Sequence, residues 1–410
     1  MKISYKDILF PLYFIGLLIS TYVRFGEYFI AAILLVVVLL NIKRKNIYNL
    51  KIKKNYWLIF IFYYFVVSVI GLVTGYVGVK NLIEFVLKYI AMPATLYFIM
   101  PDNNNNSKMF GIIKYMILIS VLYGFVEYFL RYNFMVNVVQ LNNRIWMQEM
   151  MALSNYQPCS FFLHYNYYGC VLVAGIVLNR YFPYQKTISN VVYYLLTILQ
   201  LLFCQSRICW IAIGVISIYW LFTSKKITSK TVKGIGIVLI VGATIIIYDP
   251  TVISSIIKII SSRFTKLFVY GFEDGSLGQR LGTLSNWPDY FNNNIIKGIL
   301  GTGYQSISVD YMQQYSYFMG YSTADCELTV YLVETGLIGT IIVLVAIYSF
   351  IKAQMKQGTK VNMFCLVCLT GFLIECFTLD IVSNNIVFCL MLLCIVLGTQ
   401  SVKLHKKLRN

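Results

Sequence analysis

Charged side chains are scarce, with Asp, Glu, Lys and Arg making up 12% of 410 residues. A soluble globular chain carries about 25% charged residues and is about 45–50% apolar, whereas this one is 59% hydrophobic. That excludes the two or three water-soluble domains that a length of roughly 150 residues per domain would suggest. Acids are scarcer than bases, 16 against 34, for a net charge of +18. In a soluble chain this excess would point to nucleic acid. In an apolar chain the positive-inside rule accounts for most of it, and nucleic acid is not expected as a partner. The ten cysteines form no framework: Cys365, Cys368, Cys376, Cys389 and Cys394 lie in apolar segments as small hydrophobes. Cys365-x-x-Cys368 lacks the second pair of a metal or redox motif. The first apolar stretch, Ile8–Thr21, runs into Val23 and Arg24 without a small-x-small site, so no cleavable signal is expected. There is no internal repeat of the kind that marks the halves of many transporters.

What remains is hydrophobic length. Runs such as Phe29–Leu40, Leu58–Gly71 and Ile338–Phe350 predict an all-α polytopic integral membrane protein, each span needing roughly 20 apolar residues. About twelve transmembrane helices are expected, near 7–22, 26–42, 56–74, 80–100, 109–130, 167–181, 188–204, 208–223, 232–248, 326–350, 361–379 and 384–402. The organisation is then five helices in 1–130, an outer loop at 131–166, and four helices in 167–248. A large outer loop follows at 249–325, then three helices in 326–402 and a basic tail at 403–410. An even number of spans puts both termini on one side. Of the 34 Lys and Arg, 23 fall in the termini and in the loops on that side, so both termini are expected in the cytoplasm. Loops beyond about 12–15 residues usually have a function, and 249–325 spans 77.

Within that loop, Ser254–Tyr270 reads as a basic amphipathic helix suited to lying in the membrane interface. Ile256, Ile257, Ile260, Phe264, Leu267 and Phe268 form its apolar side, with Lys258, Ser262 and Lys266 opposite. Arg263 sits at the edge of the apolar face, placed either to snorkel to a lipid phosphate or to hold the phosphate of a lipid-linked substrate. Arg280 and Trp287, seven apart, would share one face of a helix. Gly298, Gly301 and Gly303 crowd into six positions; a tight turn needing positive φ explains them, and the Lys and Ser/Thr of a nucleotide loop are missing. Tyr304, Tyr311, Tyr315, Tyr317, Phe318 and Tyr321 suit either a membrane interface or a groove for sugar rings. Asp310, Asp325 and Glu327 are acids available near them.

Elsewhere, Gln205-Ser206-Arg207 is a short turn that places Arg207 at the outer boundary, facing headgroups or gripping a phosphate in bidentate fashion. Glu84 and Lys88, four apart, are expected to pair. Glu375, inside the eleventh span, should face the bundle interior. His164 reads as an interface residue or, secondarily, a base; His405 lies in the cationic tail.

Four features occur in order: Gln205-Ser206-Arg207 opening a helix, Arg280 with Trp287 in a long outer loop, Gly298-x-x-Gly-x-Gly303, and Ser322-Thr-Ala-Asp-Cys-Glu-Leu-Thr-Val-Tyr-Leu-Val-Glu334-Thr-Gly336-Leu-Ile-Gly339. Over residues 200–345 this resembles the O-antigen ligase and polymerase superfamily of bacterial surface-polysaccharide assembly. The resemblance implies a GT-C-like architecture and a metal-independent glycosyltransferase without cofactors. It would act on undecaprenyl-diphosphate-linked oligosaccharide at the outer face of the cytoplasmic membrane. It assigns diphosphate binding to Arg207 and Arg280, with Arg263 as an addition. Ligases of the superfamily carry a His eleven residues before the first Gly of Gly-Leu-Ile-Gly; here that position is Asp325, which favours the polymerase branch. Asp325 and Arg280 are thus the candidate catalytic residues, Asp325 orienting or deprotonating the acceptor hydroxyl. Trp287, Tyr304, Tyr321 and Glu327 are the candidate glycan contacts. Membrane lipid, a chain-length regulator and a flippase are the partners implied. The expected function is polymerisation of an O-antigen or capsule, with ligation to a lipid core or flipping of lipid-linked oligosaccharide as the alternatives.

Overall fold

A computed structural model describes residues 5–22, 26–42, 56–100, 106–139, 141–153, 156–223 and 278–409, with isolated positions between. Among the described residues every regular element is a helix and there is no strand. Among the described residues five helices are long and apolar enough to cross a membrane: Tyr56–Val73, Val79–Ile99, Ser107–Leu130, Thr187–Cys204 and Gly336–Gln357. At about 1.5 Å per residue, even the 18-residue helices are close to the ~30 Å hydrocarbon thickness. Much of their apolar surface points outward, as at Phe62, Ile70, Ile119 and Leu344, each more than half exposed. Water does not tolerate apolar faces of that extent, whereas lipid tails do. The chain is a multi-pass membrane protein. The expected ninth span, 232–248, and all but Ser261 and Thr265 of the expected interfacial helix lie outside the described residues, Arg263 included.

The chain divides into two compact units: Met1–Pro101, Gly271–Leu366 and Cys376–Asn410 form one, and Asp102–Tyr270 with Val367–Glu375 the other. In the first unit α1 (Tyr5–Tyr22) packs on α2 (Gly26–Ile42), and α3 (Tyr56–Val73) leads to α4 (Val79–Ile99). A π-turn at Val86–Ala91 interrupts α4, and Lys88 and Tyr89 sit within it. After the 249–325 segment come α12 (Glu327–Glu334), α13 (Gly336–Gln357) and α15 (Asn385–Arg409), the last packing on α1, α4 and α13.

The single helix expected over 326–350 is two helices, broken at Thr335. The glycine segment that closes α11 (Ile295–Leu300) makes the break. The backbone N–H groups of Thr302 and Gly303 donate to the carbonyls of Val333 (3.2 Å) and Glu334 (2.9 Å). These are carbonyls that the end of α12 would leave unsatisfied. Gly336, the first residue of α13, then takes φ +63°, outside the right-handed helical region.

In the second unit α5 (Asn106–Leu130), α7 (Tyr165–Tyr181) and α8 (Thr187–Cys204) pack together, with α9 (Arg207–Thr223) against α7 and α8. Thirteen of the seventeen residues of α7 are buried, so this short helix is enclosed by protein rather than lipid. The expected loop 131–166 contains α6 (Leu141–Ala152) and is tied to α5 by Glu127. The fully buried Glu127 carboxylate accepts from the Tyr156 hydroxyl and from the backbone N–H groups of Cys159 (2.9 Å) and Ser160 (2.6 Å).

Candidate functional site

Two local structures of the first unit build the site. Gly278–Gly282 is a π-turn with Arg280 at its centre. The buried Gln279 beside it donates through Nε2 to the Thr323 carbonyl at 3.0 Å, tying the turn to the segment that carries Asp325. Asp325 itself stands at φ +50°, a left-handed conformation that non-glycine residues seldom adopt and that often marks functional positions. Its Oδ1 accepts from the Thr323 hydroxyl at 2.9 Å. Its Oδ2 lies 3.9 Å from an Arg280 guanidinium nitrogen. The Arg280 side chain is 12% exposed and that of Asp325 40%. A cation and a carboxylate 45 positions apart in sequence are therefore adjacent, with the acid the more open of the two.

Behind them lies a buried layer of acids. Glu327 opens α12 at 2% exposure, its backbone N–H donating to the Cys376 carbonyl at 2.9 Å. Asp380, in the loop after α14 (Lys360–Glu375), is held above the usual carboxylate range by burial, which hydrogen bonding to Glu327 and the charge of Lys88 only partly offset. Lys88 Nζ is 2.8 Å from Glu84 Oε1 and donates to the Val382 carbonyl at 3.0 Å. The Glu84–Lys88 pair thus forms as its spacing suggests. Tyr64 donates to Glu334, and the Tyr304 hydroxyl lies 3.3 Å from Glu84 Oε1. Burial, and secondly the Glu84 charge, push the Tyr304 phenol well up, so it stays protonated.

The other candidate residues are spread out. Tyr304 is 3% exposed, with Tyr64, Phe85 and Tyr89 around its ring at 5.7–6.1 Å, so its faces are taken by protein. Tyr321 is 49% exposed and open to a ligand. The run 278–293 is not one regular helix: the π-turn and a turn at Asn286 precede α10 (Trp287–Asn293). The seven-residue spacing of Arg280 and Trp287 therefore does not set a shared helical face. Trp287 packs against Phe291, ring centroids 5.2 Å apart, and against a small core of Tyr290, Ile307, Tyr311 and Met312. Tyr311, read as an interface or groove residue, is fully buried in that core. Asp310 is engaged by Lys297, at 2.6 Å, and by the Tyr290 hydroxyl. Burial lowers the Lys297 ammonium, but the Asp310 and Tyr76 interactions outweigh it and hold the group above its ordinary value.

In the second unit Arg207 opens α9 after Gln205, which is at φ +54°, and the buried Ser206. The Ser206 hydroxyl is 2.8 Å from Asn166 Oδ1 and Trp210 Nε1 donates to Leu201 at 2.9 Å, so the turn presenting Arg207 is anchored from both sides. His164 caps α7, its Nδ1 accepting from the Asn166 N–H at 3.0 Å, and stacks on Trp146. Glu375 is fully buried, as expected of an acid inside a span.

Sequence reasoning missed Asp380, Glu334 and the Glu84–Lys88 pair as companions of the Arg280 segment. Each was visible as an ionisable residue in or beside an apolar span, a functional signal in itself, but nothing in their spacing joined them. No known protein-family model matches the chain, and neither does any curated protein.

Proposed function

We propose that the chain is a surface-polysaccharide polymerase of the bacterial cytoplasmic membrane, with twelve spans and both termini in the cytoplasm. In this reading it transfers a growing O-antigen or capsule chain from undecaprenyl diphosphate onto a new lipid-linked repeat unit at the outer face. The observation that carries the reading is the pairing of Arg280 with a half-open Asp325 at 3.9 Å. The two residues that the family resemblance nominates for opposite halves of one reaction are neighbours.

The acceptor hydroxyl oxygen attacks the anomeric carbon while the bond from that carbon to the diphosphate oxygen breaks. Asp325 takes the acceptor proton, which needs hydrogen-bond reach and an exposed carboxylate oxygen. Negative charge gathers on the departing diphosphate, where fixed guanidinium groups stabilise it most. Arg280 supplies one, and the family resemblance nominates Arg207 and Arg263 as others. In the resting site Asp325 keeps Arg280 oriented, and substrate diphosphate replaces that long contact with a shorter, bidentate one. Tyr321 offers the open ring for a sugar face and Trp287 a second, partly covered one. Glu327 lies behind this surface as support.

The test is a glycan ladder. Purified protein in lipid is incubated with its organism's lipid-linked repeat unit, wild type beside Arg280→Ala. A ladder from wild type alone supports the polymerase. An unchanged repeat unit in both, under conditions where the protein translocates it or passes it to a lipid core, replaces the reading with flipping or ligation.

A further inference from the structure

The second unit brings three metal-ligating side chains together. Cys170 lies in the second turn of α7, Cys209 in the first turn of α9, and Glu375 is the last residue of α14. Their two Sγ atoms and a carboxylate oxygen all lie within 4.8 Å of one another. Each of the three residues is 0% exposed. The only groups that approach the Glu375 carboxylate are the two thiols, and neither of its oxygens has a nitrogen or oxygen donor. An acid buried that deeply with only thiols beside it is costly and calls for a compensating cation or proton.

The surroundings are arranged for sulfur. Gly169 lets α9 approach so closely that a Cβ at that position would stand 2.6 Å from Cys209 Sγ. The Ser206 hydroxyl, 3.2 Å from the same sulfur and 2.8 Å from Asn166 Oδ1, supplies the outer hydrogen bond that orients a ligating side chain. Two soft thiolates and one carboxylate select against Mg²⁺ and Ca²⁺, which take oxygen donors, and suit Zn²⁺. Ligand atoms around tetrahedral Zn²⁺ stand about 3.5–3.8 Å apart, so closing this triad on an ion takes movements of no more than about 1 Å.

We propose that Cys170, Cys209 and Glu375 form a structural site for a thiophilic divalent cation of the Zn²⁺ class. The ion staples the ends of α7, α9 and α14 and thereby steadies the turn before Cys209. Each thiol releases its proton as its sulfur bonds the metal, and no electron is transferred. A water or hydroxyl oxygen completes the coordination. With every protein ligand buried, the site is closed to substrate, so it serves stability and takes no part in glycosyl transfer.

The test uses the full chain, purified in detergent through a tag that binds no metal and dialysed against ZnCl₂. Wild type and Cys365→Ser should retain about one zinc per chain, and Cys209→Ser and Glu375→Gln should retain close to none, at the same elution volume. X-ray absorption at the zinc edge of the wild type should show two sulfur scatterers at about 2.3 Å. Chelation should lower the thermal midpoint of the wild type, and zinc should restore it. Three results would overturn the site: wild type without zinc, zinc kept by both ligand variants, or a shell lacking sulfur. The absorption spectrum decides even where a variant fails to fold.

Discussion

Gly301 and Gly336 meet backbone to backbone: a Cβ added to Gly336 would stand 2.5 Å from the Gly301 amide nitrogen. Gly301 in turn presses on Thr335, where its own Cβ would lie 2.5 Å from the carbonyl carbon. Both residues are at positive φ, +88° and +63°. The junction of α12 and α13, which follows directly from the Asp325 segment, therefore has no room for a side chain at either place.

Gly301→Ala and Gly336→Ala should each cost at least about 2 kcal/mol, from backbone strain and overpacking together. Gly320 is the control, since its φ of +90° is similar but open space surrounds it; Gly320→Ala should cost about 1 kcal/mol. Thermal unfolding in detergent ranks the three. Equal losses at Gly301 and Gly320 would mean that the close approach contributes nothing.

Asp325→Asn keeps shape and removes the basic oxygen. If Asp325 takes the acceptor proton, chain growth should fall about 10²–10⁴-fold at unchanged protein level. A rate within threefold of wild type would leave Asp325 as a support for Arg280 and nothing more.

Lys88 is 3% exposed and shared between Glu84 and the Val382 carbonyl. Lys88→Met strands the Glu84 carboxylate and should destabilise the fold by about 3–5 kcal/mol. Adding Glu84→Gln should recover a large part of that loss, because the stranded charge, more than the missing attraction, causes it. A double variant no better than the single would contradict this account, and denaturation curves of both measure it.

The Lys297–Asp310 contact makes a pH prediction. Lys297 is held above its ordinary value in the folded chain, so the folded state keeps its proton where the unfolded state loses it. Its contribution is full below the unfolded value and fades as pH rises through the folded one. The thermal midpoint of wild type should fall more steeply above about pH 10.5 than that of Lys297→Met. Parallel curves for the two proteins would assign the alkaline loss to other groups.

Hydrophobic length alone made the long apolar helices legible, α3, α4, α8 and α9 among them, whose ends fall within a residue or two of where apolar runs begin and stop; α6 and α10, short helices in stretches read as loops, were not. The pairing of Glu84 with Lys88 was legible for the same local reason, since four residues make one turn. The division of 326–350 was not. Thr335 and Gly336 read as ordinary members of an apolar run, and only the glycine segment some thirty residues earlier, donating to the carbonyls of Val333 and Glu334, explains the break. The aromatic residues of 304–321 misled in a similar way. Tyr304 and Tyr311 have the composition of an interface, yet their rings are the core of the packing around them. An aromatic ring satisfies a core and an interface equally well, and which it joins depends on partners distant in sequence.

By itself the sequence determined the solvent and the secondary structure: a chain this apolar and this poor in charge must bury itself in lipid, and in lipid its backbone must form helices. Tertiary structure alone decided which ionisable groups became neighbours. Arg280 with Asp325, and Cys170 and Cys209 with Glu375, come from segments whose separation in sequence carries no periodic signal. Their meeting is set by where π-turns, positive-φ residues and close glycine contacts redirect the chain, and those depend on the packing of the completed fold.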